Sequence, residues 1–132
     1  MSPMSEALIK KLKKVAKLID ADKGLHFFAL VHDEAEPPDR WDVIVSAEKL
    51  VPWSTEAIQY IARLLRKELT DREIVQIEQV VPLPRDNELI KSLSEDQHTP
   101  PGRIRGLHPM DHFDEAVVIW SAKNASGQPA KV

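Results

Sequence analysis

Residues 52–69, PWSTEAIQYIARLLRKEL, constrain the chain more than any other stretch. Ala57, Ile58, Ile61, Leu64, Leu65 and Leu69 recur at helical spacing and make one continuous apolar face. Ser54 is a good N-cap, and Trp53 and Ile58 stand on either side of it at the positions of a hydrophobic staple. A helix with a single apolar stripe must bury that stripe against another layer. The flanking sequence supplies the layer. In WDVIVSA, residues 41–47, Trp41, Val43 and Val45 share one face while Asp42, Ile44 and Ser46 share the other. That alternation suits a sheet with one well-buried side. Residues 73–84, EIVQIEQVVPLP, read as a further strand, closed by Pro82 and Pro84 because proline cannot donate to a ladder.

The rest of the chain extends this pattern. Residues 3–23 predict a helix: Ser2 can cap it, Pro3 suits its first turn, and Leu8, Leu12, Val15 and Ile19 form its stripe. Gly24 is placed to end it in the left-handed conformation. Residues 25–32, LHFFALVH, predict a strand that joins residues 41–47 in a hairpin with a long acidic, proline-broken tip, DEAEPPDR. A short helix is expected over residues 86–94, capped by Asp86, and a last strand over residues 115–122. Residues 95–114 between them show no period. The order is α-β-β-α-β-(α)-β. It predicts one α+β domain over residues 1–122 and a flexible tail over residues 123–132. The domain is a two-layer sandwich: a four-stranded, mainly antiparallel sheet with two main helices on one face.

Composition removes whole classes of chemistry. With no cysteine, disulfides, thiolate nucleophiles and cysteine-held metals are excluded. The net charge of −3 gives no global field to recruit nucleic acid or an anionic membrane. No apolar run approaches the roughly 18 residues of a membrane span. The N-terminal segment lacks the apolar centre of a secretory signal, so the cytoplasm is the expected compartment. The four glycines form neither phosphate-cradling pattern, and no G-x-S-x-G is present. No cofactor is expected.

Several residues are candidates for a site. His108, Asp111 and His112 carry imidazole and carboxylate groups that suit zinc, iron or manganese. Pro109 biases His108 away from helical geometry, so the two histidines do not converge through local spacing. The bland alternative is a polar loop entering a strand. Arg103 and Arg105 flank Ile104 and could clamp a carboxylate or phosphate. Lys10, Lys11, Lys13, Lys14 and Lys17 crowd the first helix, where they serve either phosphate binding or simple solubility. The acidic tip holds two prolines and no glycine, which excludes a helix–loop–helix calcium loop. His26, Phe28, Leu30 and Ile44 are expected on the sheet face away from the helices. A mixed, uncovered face there invites a partner.

No convergent catalytic set emerges. The chain reads as a small interaction or regulatory domain acting through homodimerisation or a protein partner, with neither nucleic acid nor membrane expected. Two alternatives stand beside it. One is a metal-dependent hydrolase or nuclease using His108, Asp111 and His112, in which the ion would lower the pKa of a bound water. The other is weak nucleic-acid binding through the lysine helix.

Overall fold

A computed structural model describes residues 6–33, 35–90, 103–105 and 113–121, with backbone alone for 103–105 and 113–115. The elements run α1 (Glu6–Lys23), β1 (Leu25–Asp33), β2 (Trp41–Ala47), α2 (Thr55–Glu68), α3 (Asp71–Ile74), β3 (Ile77–Pro82), β4 (Arg103–Arg105) and β5 (Phe113–Ser121). The fold is α+β, and the expected element order holds. The sheet runs β3-β2-β1-β5-β4. The four expected strands are joined by a short edge strand, β4, from the stretch without a period. Three pairings are antiparallel, and β2–β3 is parallel. A parallel pair needs a crossover, and α2 supplies it as the helix of a β2-α2-β3 unit.

The helix ends follow local chemistry. Gly24 closes α1 at φ +72°, its N–H donating to the Asp20 carbonyl at 3.0 Å. A Cβ there would also press on Glu48 Cβ at 3.2 Å. The Ser54 hydroxyl accepts from Ala57 N–H at 3.1 Å and so caps α2. Ser2 and Pro3 lie outside the described residues. Two boundaries differ from expectation. Residues 73–76 do not extend β3, because Thr70 and Glu73 form a capping box that starts the single turn of α3. The turn at residues 88–90 is capped by Asn87 rather than Asp86, the Asn87 carboxamide oxygen accepting from Leu89 N–H at 2.8 Å.

Both faces of β1, β2 and the described part of β5 are largely buried. Under α1 and α2 lie Phe28, Leu30, Trp41, Val43, Val45, Val117 and Ile119, packed on Leu8, Leu12, Val15, Ile19, Ile61 and Leu65. The opposite face carries Phe27, Ala29, Val31, Ile44, Ala116 and Val118, and Leu83, Leu89 and Ile90 cover it. The expectation of one uncovered face holding Phe28, Leu30 and Ile44 together is therefore corrected. Phe28 pairs with Val45 and Leu30 with Val43, which puts them under the helices; Ile44 pairs with Ala29 and faces the other way. Alternation within each strand was legible in the sequence, but the register between strands was not.

Candidate interaction site at the β3 edge

The sequence candidates are dispersed. Phe28 and Leu30 are fully buried, and Ile44 is 2% exposed. His26 is partly exposed, with Nε2 3.2 Å from the Glu48 carboxylate. Arg103 and Arg105 enter β4, paired with Val117 and Glu115, and only their backbone is described. His108, Asp111 and His112 lie outside the described residues. Among the described residues, no group of three or more His, Asp or Glu side chains is placed to hold a metal ion. The lysine helix spends part of its charge internally: Lys11 pairs with Glu73 at 2.9 Å and Lys14 with Glu68 at 3.3 Å. No helix among the described residues is long and apolar enough to cross a membrane.

Two regions stand out among the described residues. The first is the end of the sheet at the β1–β2 tip. The Asp42 residue is only 4% exposed, and its Oδ1 has no hydrogen-bond partner among the described residues; Oδ2 accepts from the Gln79 carboxamide at 3.3 Å. Burial raises the Asp42 pKa, the Gln79 hydrogen bond opposes this, and the charges of Asp33 and Glu78 raise it further. Glu36 is raised as well, by desolvation first and then by Glu78, Asp42 and Asp33. His32 sits beside them, with Nε2 2.9 Å from the Pro37 carbonyl and its ring edge-on to Trp41 at 5.7 Å. These contacts tie the proline-broken tip down onto the sheet.

The second region is the segment between β2 and α2. Trp53 has φ +64°, in the left-handed region where a bulky side chain is an outlier. It is also 63% exposed, and Val51 beside it is 64% exposed. The segment is clamped all the same. Trp53 N–H donates to the Pro82 carbonyl at 2.9 Å, Ser54 N–H to the Val51 carbonyl at 3.2 Å, and the Ser54 hydroxyl to that carbonyl at 2.8 Å. One serine thus caps α2 and fixes the turn that presents the indole. The composition of the segment signalled a cap and a staple. It did not signal that the indole would stand out from the core; Ile58, its expected staple partner, is likewise 36% exposed.

The Trp53 contact falls on the outer strand of the sheet. β3 has β2 on one side and no described neighbour on the other. Between β3 and α2 opens a cleft of about 230 Å³, lined by Ala62, Leu65, Ile74, Ile77 and Val80 and rimmed by Arg66, Glu78 and Gln79. Compared with protein-family models, curated proteins and solved structures, the chain gives no match.

Proposed function

We propose that the protein is a small interaction domain that works by holding a protein partner through the Val51–Trp53 turn. The observation that carries this reading is Trp53: a strained, exposed and hydrogen-bond-clamped tryptophan. A bulky residue in the left-handed region costs on the order of 1–3 kcal/mol, and such strain concentrates at functional positions. An exposed indole on a clamped backbone is also among the side chains enriched as anchors of protein interfaces. Burial of Phe28, Leu30 and Ile44 moves the expected contact surface from the sheet face to this turn. The test is capture of partners from native cells by the tagged protein and by its Trp53→Ser variant. A stoichiometric protein that the wild type retains and the folded variant loses supports the proposal. Recovery of the bare chain, or equal recovery by both, overturns it.

A further inference from the structure

Resting on that reading, we propose that the partner is held as an extended segment along the outer edge of β3, which has no neighbour among the described residues. The segment seats an apolar side chain in the β3–α2 cleft and a carboxylate on Arg66. Main-chain direction comes first. Leu83 N–H donates to the Val45 carbonyl of β2 at 2.8 Å, whereas the Pro82 carbonyl accepts from Trp53 outside the sheet. Successive residues of a strand turn their main-chain groups to opposite sides. Val80 therefore points its N–H and C=O outward, the two groups an added antiparallel strand exchanges with the residue opposite. Glu78 marks the irregularity in the β2–β3 register, where the ladder moves from Ile77 to Gln79, and so ends the usable edge. Trp53 stands at the other end.

The cleft lies beside this edge. Strand addition draws affinity from main-chain hydrogen bonds and specificity from pockets that receive alternate side chains. An apolar floor of Ala62, Leu65, Ile77 and Val80 fits one branched or aromatic side chain. Charge selects the neighbour. Three carboxylates of this region are engaged: Glu68 with Lys14, Glu73 with Lys11, and Glu78 with Arg40 at 3.4 Å. Arg66 is exposed at the rim and has no carboxylate partner among the described residues, with Arg63 and Lys67 on the same helix. A guanidinium so placed matches a carboxylate in paired hydrogen bonds.

The probe is a displayed library of random hexapeptides selected on the immobilised full chain, with fluorescein-labelled winners titrated by anisotropy. Winners are expected to carry Asp or Glu within two residues of a branched or aromatic residue. Val80→Pro removes an outward N–H, fixes the local φ and trims the cleft floor, and should weaken them by roughly tenfold or more. Arg66→Glu, on an exposed helix position, should exchange the acidic preference for a basic one, and it carries the test alone if Val80→Pro does not fold. Winners without acidic preference that bind Arg66→Glu unchanged overturn the inference. If those winners still lose affinity in Trp53→Ser, the interaction reading survives without the β3 edge; if they do not, and no cellular partner depends on Trp53, both fall. A dimer of the chain that Val80→Pro dissociates would replace the peptide by a second copy as occupant, and likewise overturns the inference.

Discussion

At the scale of single residues, strain and burial set the terms. Trp53 holds φ +64° with most of its side chain in solvent, so its own packing returns little of the conformational cost. Glycine adopts that conformation freely but loses more chain entropy on folding. The two effects leave Trp53→Gly neutral to more stable by up to about 1 kcal/mol. Partner capture should disappear in the same variant. Thermal melts beside capture assays read both, and a clearly destabilised Trp53→Gly would mean that the indole serves the fold. Asp42 gives a second prediction, with a definite sign. Its native pKa is raised above the ordinary aspartate value, by burial first. Between those two values the native state binds more protons than the unfolded chain, so stability falls as pH rises through that window. The loss then persists at neutral pH. Asp42→Asn should flatten that part of the stability–pH curve. Parallel curves for variant and wild type, from denaturant titrations across acidic to neutral pH, would remove the role given to this carboxyl.

At the scale of elements, the caps decide where helices start, and one cap does two jobs. Ser54 Oγ accepts from Ala57 N–H and donates to the Val51 carbonyl. Ser54→Ala should cost about 1 kcal/mol of stability through the lost cap. It should also weaken partner binding, because the turn carrying Trp53 loses its clamp. Denaturant unfolding and a partner titration separate the two effects; unchanged binding at reduced stability would show that the turn holds itself. Ser54 and Gly24 were legible because each element boundary there depends on one residue type. The start of α3 was legible in principle, since Thr70 and Glu73 carry the capping-box spacing. The strand-like run Ile74–Val75 beside it gave a competing pattern, and the cap prevailed. The parallel pairing of β2 with β3 had no signature in the alternation of either strand; its signal was the strand–helix–strand order itself, since a helical crossover returns the chain in the same direction.

At the scale of the whole molecule, the sheet is a double-sided core. The sequence showed four strands and two main helices but not which strand faces meet, since register is a property of pairs. It also hid the cover on the second face, where Leu83, Leu89 and Ile90 come from the end of the expected third strand and from the expected short helix, whose packing side no local pattern gives. Both absences led to the expectation of an open face, and the contact surface now proposed, Trp53 and the β3 edge, comes from tertiary placement. The difference has a measurable consequence. Were Phe28 or Ile44 part of an exposed interface, a charge at either would separate subunits and leave the fold intact. Phe28 instead lies among the residues under α1 and α2, and Ile44 in the cluster closed by Leu83, Leu89 and Ile90. An uncompensated carboxylate at either place costs about 3–5 kcal/mol, a large part of the stability of a domain this size. Phe28→Asp and Ile44→Asp should therefore each lose cooperative thermal unfolding, while Val51→Asp, at an exposed position, should unfold like the wild type. Circular dichroism melts with size-exclusion chromatography distinguish the cases. A Phe28→Asp chain that melted cooperatively and merely changed its oligomeric size would return the interface to the sheet face and take it away from Trp53.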